Sequence, residues 1–180
     1  MKVSIFIDGN NFYHGLKYIY KDSKKLMDFN FDRFCNFLAK EEDIINIFYY
    51  NAQLDELRDI EKYQSQQEFF DKLRKIPKFT LILCKLLKRK IKGTKKYYYV
   101  LKEDDIYMAT DLLKGAFKNS YDIAILISGD GDFVPAVKVV RDENKIVKNI
   151  YFKKSSSRNL KQHCDTSLKL TKEILDKFFN

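Results

Sequence analysis

Along this chain, apolar runs of strand length alternate with segments whose apolar residues recur at helical spacing. Residues 2–8 are the first run, β-branched and aromatic, ending in Asp8-Gly9-Asn10-Asn11; that is the composition of a buried strand entering a turn. The spacing of Phe12, Leu16 and Ile19 predicts a helix over 11–20, and Phe31, Phe34, Phe37 and Leu38 predict a second over 31–40 with all four inward. Ile44 to Tyr50 reads as a buried strand, and 57–75 as a long polar helix stopped by Pro77. Residues 79–91 and 95–101 read as two strands joined by a Lys92-Gly93-Thr94 hairpin turn. A helix over 104–118 places Ile106, Ala109, Leu113 and Ala116 on one stripe, and a strongly apolar strand from Ile123 to Ser128 ends in Gly129-Asp130-Gly131-Asp132. A helix over 132–142, a strand over 146–152 and a C-terminal helical region at about 157–178 complete the chain.

Strands alternating with helices predict an α/β fold, a mostly parallel sheet covered by helices on both faces. With 180 residues, 45% of them hydrophobic, the chain is long enough for one α/β domain and short for two. A single domain over 1–180 is expected, with its core at about 2–152. Six glycines and two prolines argue for continuous elements and short loops.

Charge changes this picture more than composition does. Thirty-four basic and 25 acidic side chains leave a formal charge of +9, which favours a polyanionic partner. The three cysteines, Cys35, Cys84 and Cys164, form no CxxC pair, and two histidines do not complete a zinc site around them. They are expected to be reduced thiols. The apolar run at the N-terminus is too short for a signal peptide, and no stretch approaches a membrane span, so a cytoplasmic protein without a membrane partner is expected.

The acids themselves are concentrated. Asp8 and the Asp130/Asp132 pair follow two buried strands, and ligands of open parallel sheets bind outside the carboxyl ends of the strands. Asp104 and Asp105 begin the helix after the hairpin, where the helix dipole favours carboxylates. Asp111 lies roughly 120° round the helix from Asp105, so the two need not face one ion. Singly, each acid has a plainer reading: Asp8 as a turn residue, one of Asp104 and Asp105 as a helix N-cap, Asp111 as a solvated helix residue. Together they would repel one another and raise each other's pKa values, unless a hard cation offsets them. Oxygen ligands select Mg²⁺ or Mn²⁺.

The blocks Ile5–Asn11, Lys102–Asp111 and Ile127–Phe133 resemble the three signature blocks of the NYN domain, in its LabA-like branch within the PIN-like nucleases. The resemblance spans about 2–152, with a looser likeness from Ser157 through Asp165. It implies a PIN-like Rossmannoid sheet and metal-dependent endoribonuclease activity. Asp8 matches the first acidic position, Asp105 the acid of the Lys-x-x-Asp block, Asp130 and Asp132 the last pair, and Asp111 a further acid of this branch. One departure stands out: where the family pattern has Gly-Val, this chain has Glu103-Asp104, so Asp104 and Asp105 both compete for the ligand position. On this reading Asp8, Asp105 and Asp130 hold a cation that binds the scissile phosphate and acidifies a water. Asp132 then holds a second ion or accepts the water's proton. Asn11 is expected to orient phosphate or water, with helix capping as its alternative, and Ser128 to fix the loop or contact the phosphate.

The hairpin supplies the cations. Lys85, Lys88, Arg89, Lys90, Lys92, Lys95 and Lys96 occur with no acid among them, and Tyr97, Tyr98 and Tyr99 follow. Cations pair with phosphates and tyrosine faces stack on unpaired bases, so Tyr97 and these cations are candidate RNA contacts. The competing reading is an edge strand protected by lysines, with alternate tyrosines in the core. RNA is the expected partner, and a homodimer is allowed for. Two other functions compete: a non-catalytic RNA-binding module on the same fold, and a phosphatase of the haloacid dehalogenase class. The latter wants a second aspartate two positions after the first, where this chain has Asn10.

Overall fold

The computed structural model describes residues 1–57, 59–94 and 96–179, with Leu101 described by its backbone alone. Seven strands form one sheet: β1 (Lys2–Asp8), β2 (Asp43–Ala52), β3 (Phe79–Lys90), β4 (Tyr97–Lys102), β5 (Ile123–Ile127), β6 (Ile146–Phe152) and β7 (Thr166–Leu170). Their spatial order is β4-β3-β2-β1-β5-β6-β7. All neighbours run parallel except β3 and β4. The helices are α1 (Gly9–Tyr20), α2 (Phe31–Ala39), α3 (Ile60–Arg74), α4 (Asp104–Phe117), α5 (Val134–Asp142), α6 (Arg158–His163) and α7 (Lys172–Leu175).

Strand alternation sorts the two faces. Val3, Ile5 and Ile7 of β1, with Ile123, Ile125 and Ile127 of β5, pack under α1, α2 and α3. Phe6, Ala124 and Leu126 point the other way, beneath α4, α5 and α6. By the same alternation Asp8 and Ser128 fall on the α4 side. The chain leaves β1 toward β2 and returns as β5 on its other flank, so the order of the sheet reverses between β1 and β5. Ligands of open α/β sheets bind at such a switch point.

The hairpin extends the site edge. Residues 79–84 of β3 pair with β2, and residues 85–90 pair with β4 alone. β3 therefore runs on past the carboxyl end of β2 as a two-stranded arm, roughly 20 Å long at 3.3 Å per residue. Gly93, at φ +78°, makes its turn, a conformation L side chains rarely adopt. β4 brings the chain back to the sheet edge opposite Lys85, and α4 starts there.

Several expected details differ. The C-terminal region is not simply helical, because Thr166–Leu170 is a strand beside β6, its Leu168 and Leu170 alternating inward. Phe37 is 41% exposed, its ring lying on Phe178 at the end of the core. Ile106 is 72% exposed, since α4 buries Met108, Leu112 and Ala116 against Phe6 and Tyr50, and Ile106 lies about 200° round from Met108. Gly131–Phe133 is a 3-10 turn, and α5 begins after it with a proline in its first turn. Among the described residues all three cysteines are buried and unpaired, and no helix is long and apolar enough to cross a membrane.

Candidate active site

Asp8 ends β1 and caps α1. Its Oδ1 accepts the Asn11 backbone N–H at 2.8 Å, and its Oδ2 accepts the Ser128 hydroxyl at 3.0 Å. The capping group is thus Asp8 and not Asn11, whose side-chain oxygen instead accepts the Ser155 hydroxyl at 3.0 Å. Ser128 is 1% exposed and also accepts the Asp130 N–H at 3.1 Å. Its hydroxyl is engaged at both ends, donating to Asp8 and accepting from Asp130, which ties the loop to β1.

The loop after β5 is clamped from behind. A Cβ on Gly129 would lie 1.8 Å from the Ser155 carbonyl oxygen, so only glycine permits this approach. The Ser157 N–H donates to the Gly129 carbonyl at 2.9 Å, and buried Asn149 donates to the Ser128 carbonyl at 2.8 Å. Asp130 is then set by capping the Asp132 N–H at 2.9 Å, and Asp132 stands exposed. Sequence patterns alone do not point to Ser155 or Ser157. Asn149 carries the one available signal, as a polar residue inside an apolar strand.

α4 delivers the remaining acids. Glu103 occupies its N-cap position without a side-chain capping bond, and Asp104 and Asp105 both lie in its first turn; neither is the cap. Glu103 has φ +76°. That is a conformation glycine adopts freely and in which a glutamate bears strain. Its carboxylate accepts from Lys85 Nζ at 3.0 Å, an exposed pair.

Burial pushes the Asp8 carboxyl up to about 6; Asn11 and Ser128 oppose this, while Asp104 and Asp130 add to it. Burial comes first for Asp105 too, and with the charges of Asp104, Asp8, Asp130 and Asp132 it raises that carboxyl to about 6. Asp104 is raised chiefly by burial, with Asp130 adding to it and Lys102 opposing. Asp8, Asp104, Asp105, Asp130 and Asp132 therefore share one electrostatic neighbourhood of the same sign. Asp111 accepts the Tyr50 hydroxyl at 3.0 Å, and Tyr50 is the register partner of Asp8.

The cationic arm and its first two tyrosines are exposed. Lys88, Arg89, Lys90, Lys92 and Lys96 are exposed, with Lys88 Nζ 4.6 Å from the Tyr97 ring centroid. Lys85 is taken up by Glu103, and Lys95 lies outside the described residues. Tyr97 and Tyr98 are 52% and 46% exposed, so the alternative that buries alternate tyrosines does not hold. Tyr99 donates to Asp55 at 3.2 Å.

The donor set is chemically suited to a hard divalent cation: all oxygen, all anionic, with little cationic offset nearby. Among the described residues no three acidic side chains close around one point as they stand. The NYN domain pattern matches residues 2–171. A crystal structure of a protein of unknown function from Vibrio parahaemolyticus is similar, with a TM-score of 0.72 and 21% identity over 96% of this chain and 94% of that one. At that identity the likeness speaks for the fold. No curated protein matches the chain.

Proposed function

The chain belongs to the NYN domain family, a family of PIN-like nucleases, and from that premise we propose that it is a divalent-metal-dependent endoribonuclease. The observation that carries this reading is the gathering of Asp8, Asp104, Asp105, Asp130 and Asp132 at the switch point of the sheet, in a protein with a +9 formal charge. A protein that merely bound RNA would gain nothing from five carboxylates where the phosphates approach.

Asp8, Asp130 and one or both of Asp104 and Asp105 are the residues that would hold Mg²⁺ or Mn²⁺. Such an ion supplies a positive centre for the scissile phosphate and lowers the pKa of a water. The chain's own contribution is positioning. Ser128 and the Asn11 N–H fix both oxygens of Asp8, and Asn149, Ser155 and Ser157 hold the Asp130 loop against β1. Asp132, exposed at the mouth, is the group left to accept a proton from the attacking water, or to join a second ion. Asn11 and the arm cations Lys88, Arg89, Lys90, Lys92 and Lys96, with Tyr97, guide RNA to this edge. Asp111 serves the fold through Tyr50.

The test is cleavage of single-stranded and loop RNA by protein repurified to exclude contaminating nucleases. Internal cuts that need Mg²⁺ or Mn²⁺ and stop with EDTA are expected. Cleavage undiminished by chelation would overturn the metal reading, and RNA binding without any cleavage would favour a regulatory module.

A further inference from the structure

A cavity of about 640 Å³ opens between α1 and α3, within the roughly 300–1,000 Å³ range of ligand sites. Its floor is apolar, made by Leu16, Met27, Phe69 and Leu54. Its mouth is polar and touches the site edge. Asn10 stands two residues beyond Asp8, and Asn51 directly follows Tyr50, the register partner of Asp8. The cavity and the aspartates therefore lie on opposite faces of the same sheet edge.

We propose that this cavity receives one unpaired nucleobase of the RNA, next to the phosphate held at the aspartates; the proposal rests on the ribonuclease reading. Charge decides between a base and a phosphate as occupant. Three of the four rim lysines, all but Lys25, are already paired: Lys17 with Asp22 at 3.6 Å, Lys24 with Asp176 at 2.9 Å and Lys62 with Asp59 at 2.6 Å. A bare phosphate would have to compete with those carboxylates, whereas a flat uncharged ring gains from the apolar floor. Aromatic and apolar walls hold splayed bases of single-stranded RNA in this way.

The walls are set in advance. Gln66 donates to the Ala52 carbonyl at 2.9 Å and accepts the Leu54 N–H at 2.8 Å. These two bonds lock the loop between β2 and α3, so little ordering cost remains for binding. At the mouth, the exposed Asn10 side chain makes no hydrogen bond among the described residues, which leaves its amide to read a base edge. The consequence is a preference for unpaired RNA, since a base in a duplex cannot turn into the cavity without unstacking.

The test is photo-cross-linking of single-stranded RNA carrying 4-thiouridine, in EDTA so that turnover does not intervene, with the cross-linked peptides identified by mass spectrometry. Cross-links are expected in segments 10–27 and 51–69. Abasic RNA of equal length and charge should compete at least about tenfold less well than intact RNA, the loss of one held base. Ser65→Trp, on the exposed rim of α3, should remove these cross-links while leaving any at Tyr97 and Tyr98. Cross-links confined to the hairpin, equal competition by abasic RNA, or an unchanged pattern in Ser65→Trp would each overturn the proposal. So would a change of oligomeric mass in Ser65→Trp with the cross-links intact, which would assign the cavity to a second copy. Because cleavage plays no part, a wild-type protein that cross-links but does not cut would count against the ribonuclease reading alone.

Discussion

Asp8 and Lys88 are both ionisable residues of a strand, β1 and β3 respectively, and they are built on opposite terms. Asp8 is 9% exposed, with both oxygens engaged and its pKa pushed up to about 6. Lys88, Arg89 and Lys90 stand in water on an arm that pairs with nothing beyond β4. Removing a charge from water costs several kcal/mol unless something compensates, whereas an exposed cation is held there at almost no cost. The aspartate edge is therefore rigid and strained, and the arm is adaptable and cheap. The first suits chemistry, which demands placement within fractions of an ångström, and the second suits capture, which demands only charge and reach.

Breaking the strained edge should have the largest effect. Asp8→Asn and Asp130→Asn are each expected to lower kcat by about a thousandfold or more, roughly 4 kcal/mol of barrier. Asparagine also caps helices well and removes a buried charge, so the fold should survive and the thermal midpoint at neutral pH should hold or rise. RNA affinity should hold or rise, because a negative charge beside phosphate is gone. Steady-state kinetics with a binding assay checks this, and near-wild-type kcat in either variant would return that residue to a turn or capping role.

Acid separates the two regions next. The folded pKa of Asp8, about 6, lies above its ordinary 3.8. Between those values the folded chain holds a proton that the unfolded chain has lost. Stability from this group is therefore greatest below the unfolded pKa and falls as pH rises through about 6, by up to about 3 kcal/mol over the window. Asp105 shifts in the same direction and adds less, being only half-buried. Urea unfolding in EDTA at pH 4.5 and 7 should show a relative gain at the lower pH that Asp8→Asn reduces; the same pH response in both proteins would contradict the placement of Asp8. Turnover should run oppositely, rising with pH as these carboxylates ionise and can hold the cation.

On the arm, replacing Lys88, Arg89, Lys90 and Lys92 together by Gln should raise KM about 10- to 100-fold at physiological salt, with kcat nearly kept. The slope of log K against log salt should flatten by roughly 0.7 for each phosphate that the arm no longer neutralises. An unchanged slope would mean that these cations only protect a sheet edge. The smallest effect is expected where the two regions join. Glu103→Gly relieves the φ +76° strain but gives up the exposed Lys85 pair and adds freedom to the unfolded chain. These effects are small and oppose one another, so the melting temperature should move by no more than about 3 °C. A fall well beyond that would show that the Lys85–Glu103 pair anchors the arm.

Local signals made most of this molecule legible. Apolar runs of period two and stripes of period 3.6 depend only on neighbours in the chain, so the strands at 2–8, 123–127 and 146–152 and the hairpin around Gly93 could be read directly. The carboxylates that follow two of those strands were legible for the same reason. What the chain could not reveal alone depends on which distant surfaces meet. The 166–170 segment became a strand because β6 offered it an open edge. Ile106 is outside because the packing of Met108 and Leu112 on Phe6 and Tyr50 sets the rotation of α4. Asp111 accepts a hydrogen bond from Tyr50, 61 residues away, a partner that helical spacing could not reveal. Ser155 donated to the Asn11 side chain and closed on Gly129 through contacts between residues far apart in the chain. Periodicity is a property of sequence, and the partner of a given carboxylate is a property of the whole fold.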